Sequence, residues 1–412
     1  MEKLALLFPG QGSQYVGMGD KICKRYEVAK EVFAEASEAL SIDLRELSNG
    51  SVNEITLTYN AQPLILTTSI AMYKAYKEEF DVDPSMMVGH SLGEISALTA
   101  AEAISLKDAV KIARKRGRFM QQVVADFEGA MLAVQTRDIK MLEEICEIVD
   151  TSLGKVEVAN YNSKVQTVIS GDKTAVKEIE QQLASQNIKT SMLAVSAPFH
   201  SIYMKPAADL LKEELSKYQF NTPKVPVLSS ATLCQYVNGA EIIDTLTQQL
   251  YKPVEWVRAM KSLYGSNITY CAEIGPGKVL KNLMKSNIAN IPVFSFDYEQ
   301  EVDNLKKHIE NSYVPFLTRS MGIAVATKNN NLNEEEYYEG VVLPYNKISA
   351  LAETIENEGR KATREEMEQA IQMLSSVFKT KQTPFEEQKR RFENLFIETG
   401  TKKEFADFEL SY

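Results

Sequence analysis

Histidine is scarce in this chain: three among 412 residues, at positions 90, 200 and 308. The four cysteines stand at 23, 146, 234 and 271, and no two are spaced as CxxC. That leaves no Cys/His cluster for zinc, so no metal site is expected, and no disulfide framework either. Unpaired thiols fit a reducing, cytoplasmic setting. No apolar run reaches the roughly 20 residues that a membrane-spanning helix needs, so no membrane is expected. The opening MEKLALLFPGQGSQ has an apolar run of strand length only. It lacks a basic n-region and a long h-region, and reads as a buried strand rather than a signal peptide. Excess positive charge is also missing. Lys and Arg number 46 against 56 Asp and Glu, a net charge of −10, which argues against nucleic acid as a partner.

What is present is enough apolar material, 44% of the residues, for one large core and at least one smaller one. Residues 3–8 (KLALLF) predict a strand ending at Pro9-Gly10, followed by a helical pattern to about 40. Asn60-Ala-Gln-Pro63 opens a further helix, with Pro63 in its first turn. Residues 84–88 predict a short buried strand and 94–102 a helix. Strands alternating with helices imply a largely parallel α/β sheet. The middle differs: strands at 129–135, 156–161, 166–170 and 189–195, with helices at 138–149 and 173–186. The order βαββαβ is the ferredoxin-like unit, here an insert over 127–196. The α/β pattern then resumes, with a strand at 269–274, a turn at Gly275-Pro276-Gly277 and a helix at 278–287. Near 328 the polar KNNNLNEEEYYEG reads as a linker or surface segment, and 332–412 as helical. There Thr363 with Glu366, and Thr383-Pro384 with Glu386, match helix caps.

Within GHSLGE, Ser91 sits between Gly89 and Gly93. A strand precedes it and a small-residue helix follows. That context favours a strained turn exposing the hydroxyl at a helix N-terminus over a plain Gly-Ser cap. The Leu92 amide there is placed to steady an oxyanion. A serine nucleophile needs a base. His90 adjoins Ser91 on the turn and points elsewhere; His308, in a charged helix, reads as solvated. Elimination leaves His200, in VSAPFHS, where the insert returns to the main body.

Residues 106–126 form a basic helix. At about 100° per residue, Ala109, Ala113, Arg116, Met120 and Val123 share one face. Lys107, Lys111, Arg114, Lys115 and Arg118 lie opposite, as a solvated face. Arg116 is thus centred on the apolar stripe, and a buried guanidinium needs an anion. An internal Asp or Glu and a substrate carboxylate are equal alternatives at this stage. In Gly10-Gln-Gly12-Ser-Gln the spacing fails GxGxxG, because Tyr15 falls at the third glycine. The loop is either a plain tight turn or a way to bring the Gln11 amide to a reacting carbonyl.

Together these stretches resemble the malonyl-CoA:acyl carrier protein transacylase family. The matching segments are LFPGQGSQ (7–14), GHSLGE (89–94), KRGRFMQ (115–121), NYNS (160–163), SAPFHS (196–201), QLYKPVEW (249–256) and EIGPGKVL (273–280). They run in the family's order over about residues 1–300. The resemblance implies an α/β-hydrolase-like large subdomain (1–126 and 197–310) with a ferredoxin-like (βαββαβ) inserted small subdomain (127–196). A mainly helical C-terminal extension (311–412) follows. It also implies roles: Ser91 as acylated nucleophile, His200 as its base, and Gln249 as the residue orienting His200 in place of a triad acid. The backbone amides of Gln11 and Leu92 would be oxyanion donors and Arg116 the holder of the malonyl carboxylate. Leu92 and Phe199 resemble malonyl-selecting versions.

The implied reaction is ping-pong transfer of malonyl from malonyl-CoA, through a Ser91 ester, to the phosphopantetheine thiol of an acyl carrier protein or synthase carrier domain. No bound cofactor is implied. The chain continues well past the usual end of stand-alone members. In this it is similar to discrete, trans-acting acyltransferases of bacterial polyketide and hybrid lipopeptide pathways. The tail serves either docking or coverage of apolar surface. A serine acyl hydrolase of the same fold, clearing carriers, is the alternative function, against which Arg116 counts. A docking protein with a spent site is a further rival.

Overall fold

The computed structural model describes residues 2–123, 128–149, 151–195 and 197–410. Three expectations fall outside them: the helix end at 124–126, the insert boundary at 127, and Ser196 of SAPFHS. The chain divides into two units, Glu2–Leu305 and Lys306–Tyr412. The division falls within the helix Glu299–Ser312, a few residues before the expected 310/311.

The first unit holds two sheets. Its strands in chain order are β1 (Leu4–Phe8), β2 (Met86–Gly89), β3 (Gly129–Gln135), β4 (Val156–Ser163), β5 (Gln166–Asp172), β6 (Lys189–Met192), β7 (Val227–Leu228), β8 (Tyr270–Glu273) and β9 (Val293–Ser295). The larger sheet has the order β7-β2-β1-β8-β9 and is parallel throughout. All five residues of β1 are buried, as continuous apolar strands covered on both faces require. Phe8 pairs with Gly89 and Leu7 with Glu273. The loops after β1, β2 and β8 therefore leave one edge at one level, the carboxyl ends where α/β sheets bind ligands.

The smaller sheet, in the order β4-β5-β3-β6, is antiparallel. This is the ferredoxin-like arrangement, with the helices Ile139–Ile148 and Lys173–Ser185 on one face. Alternation along β3 decides which face is which. Ala130, Leu132 and Val134 join Leu142, Ile179 and Leu183 in the core under the helices. Met131 and Ala133 point the other way, into a cavity, together with Val168 of β5. The fold is thus an α/β-hydrolase-like body with a ferredoxin-like insert.

Pro63 is not in a first turn. The helix runs Thr58–Glu79, so Pro63 is its sixth residue and leaves the Tyr59 carbonyl without the usual amide donor. Arg114 replaces it: Nη1 donates to Tyr59 O at 3.0 Å and also to Asn60 Oδ1. Arg114, expected on a solvated face, is instead half-buried, its guanidinium carbon 4.9 Å from the Tyr59 ring centroid.

The second unit carries its own core. Phe316, Leu374, Phe378, Phe392, Leu395, Phe396 and Phe405 are all buried in it. The capping box of Thr363 and Glu366 forms. The one expected at Thr383 does not: Pro384 occupies the N-cap of Phe385–Glu398, and Thr383 Oγ1 has no partner. The presumed linker is helical from Glu334. Asn333 accepts from the amides of Glu335 and Glu336, and three glutamates fill the first turn, so its polarity was a cap signal. A π-helical turn, Tyr338–Val342, leads into Leu343–Asn357.

Candidate active site

The turn after β2 carries Ser91 at φ 52°, in the left-handed region. The flanking glycines explain how the chain tolerates it. A Cβ on Gly89 would lie 1.9 Å from the Gly93 carbonyl carbon, and one on Gly93 2.0 Å from Phe8 O. Only bare backbone lets β1, the turn and the helix Gly93–Ala100 meet this closely. The loop after β1 closes from the other side: a Cβ on Gly10 would lie 2.4 Å from His90 O and 3.6 Å from the Leu92 amide nitrogen.

His200 meets this turn from 109 residues away, its Nε2 2.8 Å from Ser91 Oγ. Its φ is 58°, so both members of the pair hold strained backbone, a common mark of functional positions. Nδ1 lies 2.8 Å from the main-chain oxygen of Gln249. A carbonyl only accepts, so the ring proton sits on Nδ1 and Nε2 is free to take the serine proton. The His200 amide also donates to Leu250 O at 3.1 Å, so the 249–250 backbone grips the residue twice. The contact that Gln249 makes with the imidazole comes from its main chain. The side chain instead accepts from Arg116 Nη2 at 3.0 Å and donates to Ser91 O at 3.0 Å. Burial, and next the charge of Arg116, push the His200 pKa down to about 3, keeping the ring neutral at physiological pH, with Nε2 unprotonated.

Arg116 is 2% exposed. Nη1 donates to Gln62 Oε1 at 2.9 Å, and Nη2 to Ser91 Oγ at 3.1 Å as well as to Gln249. These partners are uncharged, and Nε has none. Of the two alternatives open in the sequence, a contacting internal acid is thus not what the structure shows. Burial lowers the guanidinium pKa to about 10, which still leaves it charged near neutrality.

Ser91, Arg116 and His200 border a cavity of about 330 Å³, together with Gln11, Leu92 and Phe199. Of the residues singled out in the sequence, only Gln249 lies behind this surface, fully buried. Three participants were not anticipated. His90 turns away from the pair but is not idle: Nε2 lies 2.9 Å from Asn162 Oδ1, tying the turn to β4. Gln62 holds Arg116 from a helix that starts at Thr58, two residues before the expected Asn60. Glu94, fully buried, accepts from the Ser230 amide at 2.8 Å and from the hydroxyls of Ser230 and Tyr236. Its signal lay in GHSLGE itself, where a glutamate on an otherwise apolar helix needs partners. Among the described residues no cluster of three His, Cys, Asp or Glu side chains could hold a metal ion, and no helix is long and apolar enough to cross a membrane.

A strained serine turn at the carboxyl edge of a parallel sheet, paired with an imidazole, defines the class of serine acyl-transfer folds. Residues 5–319 match the acyl transferase domain family. A malonyl CoA-acyl carrier protein transacylase of Bacillus subtilis is 34% identical over 397 residues, 95% of this chain and 99% of its own. Another, from Bacillus subtilis strain 168, is 44% identical over 288 residues, 69% of this chain and 90% of its own. A malonyl-transacylase solved in complex with its type II PKS acyl-carrier protein superposes with a TM-score of 0.72 at 34% identity, covering 74% of this chain and all of that one. The chain belongs to the malonyl-CoA:acyl carrier protein transacylase family and is an acyltransferase. The first of these alignments is long enough to run into Lys306–Tyr412.

Proposed function

We propose that this enzyme moves malonyl from malonyl-CoA to the phosphopantetheine thiol of an acyl carrier protein, in two half-reactions through a Ser91 ester. The observation that carries this reading is the Arg116 guanidinium, buried among neutral partners and 3.1 Å from the Ser91 hydroxyl. A cation so placed suits a carboxylate that rides on the acyl group. Ser91 Oγ attacks the thioester carbonyl as its proton passes to His200 Nε2. The amides of Gln11 and Leu92 receive the oxyanion. Collapse of the adduct breaks the C–S bond, and CoA leaves as a thiol with the proton from His200. The carrier thiol then enters, gives its proton to His200, attacks the ester carbonyl, and Ser91 recovers its proton as the C–O bond breaks. Phe199 walls the acyl end of the cavity. Arg116 holds the acyl group through both halves.

We assign the catalytic body to 1–126 and 197–310, the small lobe to 127–196 and the extension to 311–412. Service to carrier domains of polyketide or hybrid peptide synthases is part of the proposal; the length of chain beyond the first unit supports it. One experiment tests the reading. Labelled malonyl-CoA is incubated with the enzyme, with and without a phosphopantetheinylated carrier protein. Label should reach Ser91 in the absence of the carrier and move to the carrier thiol when it is added. Label released as free malonate, with the carrier unlabelled, would establish hydrolysis instead.

A further inference from the structure

Arg116 poses a problem of charge. A guanidinium buried among amide and hydroxyl oxygens, with no anion, is strongly disfavoured. An anion is present but stands back. Glu94 lies three residues past Ser91, fully buried. Its Oε1 accepts from the Ser230 amide at 2.8 Å and from the Ser230 hydroxyl at 2.5 Å, and its Oε2 from the Tyr236 hydroxyl. Burial pushes its pKa up, but all three partners are donors, which favours the ionised carboxylate against that shift. Gln249 stands between the two ions. Its Oε1 accepts from Arg116 Nη2, its Nε2 donates to Ser91 O, and its amide helps hold the Glu94 pKa below where burial alone would put it. With an acceptor on one side and a donor on the other, the amide has one satisfactory orientation.

We propose that Glu94 is the remote counter-ion of Arg116: it fixes the Gln249 amide and tempers, by like-charge repulsion, the grip of Arg116 on the malonyl carboxylate. A carboxylate in direct contact would occupy the guanidinium N–H groups. Held back behind Gln249, it balances the charge without occupying the guanidinium, whose Nε stays unpartnered. Its field acts at Arg116, where it opposes the loss of the guanidinium proton. The empty site then holds one cation and one anion. Malonyl brings a second anion, so the site binds its substrate less tightly than an uncompensated arginine would, and product release is eased. Glu94 is a positioning residue that holds Gln249 and acts on the malonyl carboxylate only through its charge, and the inference rests on the clamp reading given above.

The test uses Glu94→Gln, which keeps the shape and removes the charge. Loss of a purely structural contact would weaken malonyl binding or leave it alone. Loss of the counter-ion tightens it, by about fivefold or more for a unit charge in a partly screened interior, while acetyl-CoA binding moves much less. Malonyl affinity that is unchanged or weaker in folded Glu94→Gln overturns the proposal. Because the repulsion acts on the malonyl carboxylate itself, the same substitution in an Arg116→Ala background should still raise the malonyl-to-acetyl ratio above that of Arg116→Ala alone. If Arg116→Ala by itself leaves malonyl transfer intact, the clamp reading fails. If that variant is impaired and Glu94→Gln brings no gain in affinity, only the counter-ion fails. Should Glu94→Gln not fold, chemical denaturation of the Glu94→Gln/Arg116→Gln double variant decides. Removing both charges should restore stability relative to Glu94→Gln, and a double variant no more stable than the single one overturns the proposal.

Discussion

Replacing Arg116 by alanine removes the cation that touches Ser91. Truncating one partner of a buried, hydrogen-bonded charge pair costs about 2–5 kcal/mol. At about 1.4 kcal/mol per factor of ten, kcat/KM for malonyl transfer should fall between roughly 30-fold and several thousand-fold. The upper end is favoured because the guanidinium is 2% exposed, so little water shares the interaction. Acetyl has no carboxylate to lose, and its transfer should hold or rise once the buried charge is gone. Gln62 Oε1 and Gln249 Oε1 lose their donor, so some stability falls too. The assay is steady-state transfer of labelled malonyl and acetyl from their CoA thioesters to a carrier protein, with folding checked by denaturation. Malonyl kcat/KM within about threefold of wild type, in a folded variant, would contradict the clamp, since even the low end of the range predicts more.

The pH dependence should report the same cation. Transfer needs neutral His200, whose pKa is lowered by burial and then by Arg116, so the acid limb of kcat/KM should lie below the ordinary imidazole value of about 6.5. Arg116→Ala removes the second cause, the His200 pKa rises, and the acid limb for acetyl transfer should move to higher pH; coincident limbs would refute the coupling. Gly89→Ala places a methyl 1.9 Å from the Gly93 carbonyl carbon, and should cost about 3 kcal/mol or more in urea unfolding, with transfer lost. Wild-type stability in that variant would mean the turn is not as tight as described. Arg114→Met orphans the Tyr59 carbonyl beside Pro63 and should lower the urea midpoint by the equivalent of about 1–3 kcal/mol at unchanged m, with little effect on the kinetics of the folded protein.

Much of this molecule was legible because its long elements follow one period each. The strand Gly129–Gln135 and the helices Ile139–Ile148 and Lys173–Ser185 carry clear apolar alternation or stripes, and the βαββαβ order followed from them. Val227–Leu228 and Val293–Ser295 are two and three residues long, too short for any period to register. The errors had local causes. Pro63 looked like a helix start because the carbonyl it orphans is satisfied by Arg114, 51 positions on, which no local pattern can announce. The polar run at 328–340 looked like linker because the rule for its first helix, an Asn cap followed by acids, was outweighed by composition.

The site was legible where chemistry lies in side chains and on the glycine-flanked turns, and silent about the main-chain group behind His200. Serine, histidine and arginine can be picked out by type, rarity and face. The group that fixes the His200 tautomer is a main-chain carbonyl, which any residue at 249 would supply. Gln249 is therefore not constrained by the histidine at all. Its amide is constrained by Arg116 on one side and by Ser91 O on the other. Substitutions at 249 should accordingly separate two functions that the sequence merges. Gln249→Leu retains the carbonyl, so the imidazole keeps its tautomer and acetyl transfer should persist. It removes the acceptor for Arg116, so malonyl KM should rise while kcat for acetyl changes little. Equal loss of both acyl groups would mean that the side chain, and not the backbone, governs His200.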